Sequence, residues 1–417
     1  MSSLSGPWGM KFYASHPKNA SKVNQVGIHK SDILGSGATG TVYKTKYLDQ
    51  FVAAKIYDKG NTVNSSKLQS MLLNTPPKQV RTVHGRQYPL LAWPLAILND
   101  KSGKAVGYLM PLVDTTRSRP LHHYYDRMLL HKINDQDQGA LSYRLEIARN
   151  LASLVAELHK QKHYCIDIKP QNIRVFLDTH LVAILDCDGF SVSGQSVRYP
   201  ADMVSSDYIS PECTIGKIRP NKMGVQQDRY ALAVLLFQLL NDGTHPFQGI
   251  LKRPRKNANT NDEKAAAGLY PHGVEQNEKI RPRPESVHHL WDDKTRRLFD
   301  RAFISTADNH RPTANQWVNH FNALLDNKIL RSCSKMPNDV RHMRFQGKSC
   351  PACYQETLNN TVKRKPVRKI RHTTGVEKKV AYRVKGPSKS TSDNENVGGW
   401  IAGGIIVLVV IIVLMMA

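Results

Sequence analysis

The chain has 417 residues, of which 40% are hydrophobic, enough to build a real core. Its 59 lysines and arginines outnumber 34 aspartates and glutamates, a formal net charge of +25. Such an excess points to an anionic membrane surface, a nucleic acid or an acidic partner, unless it is carried in tails. Six cysteines in so long a chain exclude a disulfide scaffold, and a C-x-x-C among them points to a reducing compartment and metal ligation.

In chain order, residues 1–26 lack a basic start followed by an apolar run, so they read as an N-terminal extension and not a signal peptide. From about residue 27 to residue 114, β-type runs alternate with turn residues (GIHKSDILGSG, TVYKTKY, FVAAKIYD, AVGYLMPLVD), interrupted by a helical piece at SSKLQSMLL. From Leu141 the texture is helical: Ile147, Leu151, Leu154, Val155 and Leu158 recur at the spacing of one buried helix face. The stretch from Asp228 to Leu240 is apolar nearly all round, which predicts a central helix. The expected fold is therefore α+β, with a small β-rich lobe over about 27–114 and a larger helical lobe over about 115–326. Residues 327–358 carry a cysteine and histidine cluster, and 359–397 form a basic linker of low apolar content. Residues 398–417 (GGWIAGGIIVLVVIIVLMMA) hold no charge and are long enough for a transmembrane helix.

Four motifs carry the chemistry. Gly35, Gly37 and Gly40 form a G-x-G-x-x-G that runs into TVYKTKY, so the glycines join two strands and not a strand and a helix. A hairpin of this kind lets backbone amides approach phosphate oxygens, and Val42 is placed to cover an adenine. Val52-Ala53-Ala54-Lys55 follows on a strand, where a lysine reaches phosphates. Asp167, Lys169 and Asn172 come after the long helix: a carboxylate to orient a hydroxyl, a lysine near the transferred phosphate, an amide for a metal ion. Asp186-Cys187-Asp188-Gly189-Phe190 leaves a β-type run into a glycine turn, a setting that suits magnesium. Each pattern is common alone, whereas this order and spacing is specific.

In these motifs the chain resembles the eukaryotic-type protein kinase superfamily over roughly residues 28–325. Ser210-Pro211-Glu212 resembles the A-P-E that ends the activation segment, and Arg311-Pro312-Thr313 resembles the arginine motif near the domain end. The resemblance implies a bilobal kinase fold, ATP and Mg2+ as cofactors, and a Glu212 that pairs with an arginine deeper in the large lobe. It also implies that Ala53 and Lys55 bind nucleotide and that Lys169 favours Ser/Thr acceptors. Details such as LDCDGF and the trailing CPAC resemble a bacterial kinase-like group with a D-x-D-G/S-F metal loop.

Three departures stand out. Ile166 replaces the arginine that usually precedes the catalytic aspartate, so activation-loop phosphorylation is not expected to be the switch, and Ser191, Ser193, Ser205 and Ser206 gain little weight. The metal loop holds two aspartates; spacing from Asn172 assigns magnesium to Asp186, with Asp188 in reserve. No glutamate occurs between Lys55 and Glu146, so Lys55 must be positioned by another group, for which Asp186 is a candidate.

Cys333, His342, Cys350 and Cys353 offer three thiolates and an imidazole, a donor set for a closed structural zinc site. The basic run from Lys363 to Lys389 beside an apolar helix predicts attraction to anionic lipid and a kinase domain on the cytoplasmic side. Without interleaved aromatics it carries no base-reading signal, which disfavours nucleic acid. Three functions remain on these residues: a membrane-anchored Ser/Thr protein kinase, a pseudokinase acting as a tethered nucleotide-binding scaffold, and a small-molecule kinase. The A-P-E-like and R-P-T-like motifs favour a protein substrate over a small one.

Overall fold

Short β-branched and aromatic runs closed by tight turns make the first part of the chain a sheet. In the computed structural model, which describes residues 9–125, 140–304, 311–326 and 329–364, this sheet has seven antiparallel strands. They are β1 (Gly9–His16), β2 (Asn19–His29), β3 (Ile33–Ser36), β4 (Gly40–Tyr47) and β5 (Gln50–Tyr57), joined later by two more. Helix α1 (Ser65–Leu73) follows, its first turn capped by the Asn64 side chain accepting from Lys67 N–H. A separate hairpin, β6 (Val80–Val83) with β7 (Arg86–Pro89), turns at His84-Gly85, both at positive φ. β8 (Ala96–Asn99) and β9 (Ala105–Pro111) then complete the sheet in the order β2-β1-β8-β9-β5-β4-β3.

The N-terminal extension expected at 1–26 is corrected here, since residues 9–26 belong to the sheet. β1 pairs with β2 and with β8, Tyr13 lying opposite Asn99. Ala14, Val26 and Ile28 are buried with Val52, Ala54, Leu98 and Leu109 on the sheet face away from the large lobe. Only one face of these strands is buried and apolar; Lys11, Tyr13, Gln25 and Gly27 lie on the other. Alternation along β5 follows from the same pleat: Val52 and Ala54 face that outer cluster, whereas Ala53 joins the main core.

The large lobe begins with β10 (Ser118–Pro120) and α2 (Leu141–Lys160), whose buried face holds Leu145, Ile147, Leu151, Leu154, Val155 and Leu158, as the sequence spacing predicts. β11 (Ile173–Phe176) pairs with β10 on one side and with β12 (Val182–Ile184) on the other, in a small sheet that carries the active-site loops at its ends. β13 (Val192–Ser193) and β14 (Arg198–Tyr199) lead to α3 (Pro211–Ile215) and the central α4 (Val225–Leu240). Nearly all of α4 is buried, in keeping with its lack of a polar face. β15 (Gly249–Leu251), α5 (Asn261–Ala266), β16 (Ile280–Pro282), α6 (Asp293–Phe303) and α7 (Ala314–Asp326) complete the lobe. A last hairpin, β17 (Leu330–Ser332) with β18 (Met343–Phe345), precedes α8 (Pro351–Arg364), so the expected linker from 359 is helical as far as 364.

The segment expected to span a membrane, 398–417, and the linker beyond 364 lie outside the described residues. Among the described residues no helix is long and apolar enough to cross a membrane.

Buried histidines make the large lobe acid-sensitive. His245 donates from Nε2 to the Asp207 carbonyl (3.0 Å) and accepts the Phe247 N–H at Nδ1 (3.2 Å), a pattern that only the neutral ring satisfies. Burial pushes His245 down to about 4, His272 to about 3 and His320 to about 4. These folded values lie below the unfolded one, so the neutral-ring stability is full above the unfolded value and is lost as pH falls through it toward the folded values. Each ring then costs about 1.4 kcal/mol per pH unit. The urea midpoint should fall steeply between about pH 6 and pH 5 as the unfolded chain takes up several protons. A flat midpoint across that interval would contradict this account.

Candidate active site

The site is a cleft of about 310 Å3 between the lobes, lined among others by Thr39, Lys55, Lys67, Asp167, Asn172, Asp186 and Asp188. Lys55 reaches it from β5, in register with Val42 on β4 and Tyr108 on β9. On this side of the sheet Ala53 is buried in the main core and the half-buried Val42 packs against it. In the glycine hairpin, Gly37 N–H donates to the Gly40 carbonyl at 2.9 Å. A Cβ at Gly40 would come within 2.3 Å of the Ile56 carbonyl, so this glycine is required by packing against β5; Gly35 and Gly37 have open space beside them.

Asp167 lies at the end of a strained loop. Ile166 has φ of 59°, costly for a β-branched residue. The buried Asp228 carboxylate holds that conformation by accepting the Cys165 and Ile166 N–H groups, both at 2.7 Å, while His159 Nε2 lies 2.9 Å from it. Ile166 is fully buried in an apolar cluster with Ala201, Cys213 and Met223. The segment after the metal loop is therefore anchored at Ile166 by apolar contact, where an arginine would have needed a phosphate. It is anchored again where Arg311 makes a bidentate pair with Glu212, the partnership expected from the sequence.

Asp167 accepts the Lys169 ammonium at Oδ2 (2.6 Å) and the Ser205 N–H at Oδ1 (2.7 Å), and Lys169 also donates to Ser205 Oγ (2.9 Å). Ser205, given little weight in the sequence, is thus bonded to both residues at the centre of the site. Asn172 lines the same cleft, its position fixed by its carbonyl accepting from Leu185 N–H at 2.8 Å.

The unexpected feature concerns the two aspartates. Lys55 Nζ lies 2.6 Å from Asp186 Oδ1 and 2.9 and 2.8 Å from the two oxygens of Asp188. Asp188 also accepts the Tyr57 hydroxyl (2.6 Å) and the Tyr108 hydroxyl (2.7 Å), so both its oxygens are taken and its side chain is 10% exposed. Asp186, in a left-handed turn at φ 58°, remains 49% exposed toward the cleft. Burial alone would lower the Lys55 pKa and raise that of Asp188. The mutual charges of the pair, with the tyrosine bonds, outweigh it and hold Lys55 above and Asp188 below their ordinary values. Burial and the neighbouring Asp188 charge raise Asp186.

Fit to a magnesium ion follows from that asymmetry. Asp186 and Asn172 line one cleft with carboxylate and amide oxygens and can hold the ion, whereas Asp188 has no free oxygen to offer. Asp188 instead supplies the carboxylate that α1 lacks. From α1, Lys67 donates to the Pro200 carbonyl at 3.1 Å, and burial lowers its pKa.

A second constellation lies beyond the large lobe. Cys333 and Cys353 Sγ atoms are 3.5 Å apart, His342 Nδ1 is 3.3 Å from Cys353 Sγ, and all four donor atoms including that of Cys350 fall within 4.8 Å of one another. Metal bonds of about 2.0–2.3 Å in a tetrahedron require donor separations of roughly this size. The other imidazole nitrogen, Nε2, faces Glu356 at 3.1 Å, the outer partner a ligating histidine needs. This cluster could hold zinc.

The family model for the protein kinase domain matches residues 111–321, half of the sequence, and the chain belongs to that family. It is 26% identical over 330 residues to protein kinase YegI of Escherichia coli, covering 77% of this chain and 47% of that protein. The YegI of the O157:H7 strain is 27% identical over 297 residues, covering 68% of this chain and 43% of that one. A calcium and calcium/calmodulin-dependent serine/threonine-protein kinase of Lilium longiflorum is 27% identical over 199 residues, or 46% of this chain and 33% of the relative. The chain spans less than half the length of these curated relatives.

Proposed function

We propose that the chain is a protein serine/threonine kinase that transfers the γ-phosphate of ATP to a protein hydroxyl. The observation that carries this reading is the Lys55–Asp188 pair, which restores the positioned lysine that the missing small-lobe glutamate had put in doubt. In the reaction Asp167 accepts the proton of the acceptor hydroxyl as its oxygen attacks the γ-phosphorus, and the bond to the β-phosphate oxygen breaks to release ADP. Lys169 neutralises charge on the phosphoryl group in flight, and Lys55 orients the α- and β-phosphates. Magnesium, when held by Asn172 and Asp186, would supply further neutralisation of phosphate charge. The Ser205 contacts place the segment that follows the metal loop against Asp167 and Lys169, where an acceptor residue must arrive.

The scaffold reading rested on the absent glutamate. With Asp188 in that role, its main support is gone. The finer parts of the proposal are a zinc ion at Cys333, His342, Cys350 and Cys353, and attachment to a membrane through 398–417 with the kinase domain on the cytoplasmic side. That attachment rests on the uncharged apolar run and the lysines and arginines before it.

Radiolabelled phosphate transfer from ATP to a generic protein acceptor tests the activity, beside Asp167→Ala. Incorporation by the parent chain and its loss in the variant are expected. A parent chain that binds Mg-ATP without transferring phosphate would return the scaffold reading.

A further inference from the structure

The large lobe holds a second cavity, of about 330 Å3, away from the phosphotransfer cleft and among residues to which the kinase chemistry gives no role. Its walls come from the β15–β16 hairpin, the segment around 271–277 and the start of α6. Lys252, Arg281 and Arg296 line it with three positive charges, and no carboxylate is among its lining residues. Glu275 and Glu278, close in sequence, are not among them. Two carboxylates lie near Arg296 outside the lining: Asp293 at 3.7 Å, itself 68% exposed, and Asp300 one turn on, which accepts the Val274 N–H at 3.0 Å.

His288 makes this more than a basic groove. Its ring lines the cavity, is 1% exposed, and leaves both Nδ1 and Nε2 without a hydrogen-bond partner. Arg296 Nε is buried and unpartnered as well. Buried polar groups in native proteins almost always find partners, because leaving one alone is destabilising. His272, held at Nδ1 by Ser286 Oγ (3.2 Å), stands beside His288 with ring centroids 5.8 Å apart. A neutral His288 offers one N–H donor, and a guanidinium offers a planar fork suited to oxyanions. The volume is that of a small-molecule site.

We propose that this cavity binds a small phosphate-bearing anion, either inorganic phosphate or the phosphate group of a small metabolite. His288 and Arg296 meet its oxygens at the inner end, and Lys252 and Arg281 hold its charge at the mouth. The occupant therefore needs a compact anionic head and no large apolar body.

Calorimetric titration of the full chain tests this, with inorganic phosphate and glycerol phosphate as probes and sodium chloride at equal ionic strength as control. Saturable binding is expected, with Kd raised about tenfold in Arg281→Ala and again in Lys252→Ala, the loss typical of one charge-assisted hydrogen bond. Both side chains are exposed, so these variants keep the fold. In the unmodified chain the His288 ring resonances should shift with the same Kd. Stronger binding of inorganic phosphate than of glycerol phosphate names the free ion as the occupant, and the reverse names a phosphometabolite; either supports the site. Binding that is unaltered in both variants, or that leaves the His288 resonances unmoved, or that equals the chloride control, would overturn it.

Discussion

Asp188→Asn is expected to lower the phosphotransfer rate about 100- to 1,000-fold in a chain that still folds, with a smaller change in KM for ATP. Losing one preorganised electrostatic group at an active site costs about 2.7–4 kcal/mol in the transition state, and each 1.36 kcal/mol is tenfold in rate. The amide introduced there would keep some hydrogen bonding to Tyr57 and Tyr108, but Lys55 would be left with Asp186 alone. The lysine would then compete with the metal for that carboxylate and lose its fixed direction toward the phosphates. Asp186→Asn differs in kind: it leaves the Lys55–Asp188 pair in place and should raise the magnesium concentration needed for half-maximal rate. Tyr57→Phe removes a single hydrogen bond to Asp188 and should cost about tenfold or less. The pH profile separates the roles further. Burial and the Asp188 charge both raise the Asp186 pKa, so Asp188→Asn moves the acid limb of kcat/KM to lower pH. If Asp188→Asn matched the parent rate, or if Asp188→Asn and not Asp186→Asn changed the magnesium requirement, the assignment of the two aspartates would be reversed or lost.

Residues whose chemistry depends on local spacing were readable from the sequence. Lys55 on its strand, Asp167 with Lys169 and Asn172, and the two halves of the cysteine cluster all declare themselves within a few neighbours. The Lys55–Asp188 pair does not, because its partners are 133 residues apart and meet only when the two lobes close on each other. A signal for it existed. With no glutamate after Lys55 for about ninety residues, a carboxylate had to come from elsewhere, and D-C-D-G-F has one more aspartate than a metal ligand requires. Tyr57 and Tyr108 lie on β5 and β9, and only the fold turns both hydroxyls onto one carboxylate. As a phosphorylation site Ser205 carries little weight in the sequence, whereas in the fold it bonds Asp167 and Lys169 directly. The positive φ at Ile166 had no local signature at all, since an isoleucine adopts it only because Asp228, 62 residues on, captures the two adjacent amides.

Loss of the metal donor in Cys350→Ser is expected to remove bound zinc and unfold residues 329–364 while leaving the kinase lobes folded. Two short strands and one helix are too little to bury a core of their own, so a bound metal would supply most of their stability. Structural zinc sites contribute about 10–16 kcal/mol of apparent binding energy. The element's contacts with the large lobe include Phe345 on Trp291 (ring centroids 4.9 Å), Tyr354 donating to the Pro284 carbonyl (2.8 Å), Gln355 donating to the Glu285 carbonyl, Lys348 with Asp293 (3.1 Å), and Ile329, Leu330 and Met343 against the main core. Trp291 is buried under this element, so its fluorescence should shift to the red in Cys350→Ser, and treatment with a strong chelator should reproduce the shift in the parent chain. Glu356→Gln leaves all four donors in place and weakens only the partner of His342, so zinc should bind about 10- to 100-fold more weakly without being lost. Metal analysis of the three chains orders them as parent, Glu356→Gln and Cys350→Ser, from full content to none. Equal zinc in the parent and in Cys350→Ser would mean that the cluster is not the metal site, whatever its geometry permits. The lobes provide the internal control: their urea transition should persist in Cys350→Ser, because Phe345 is the single residue of the element with a buried side chain in the main core.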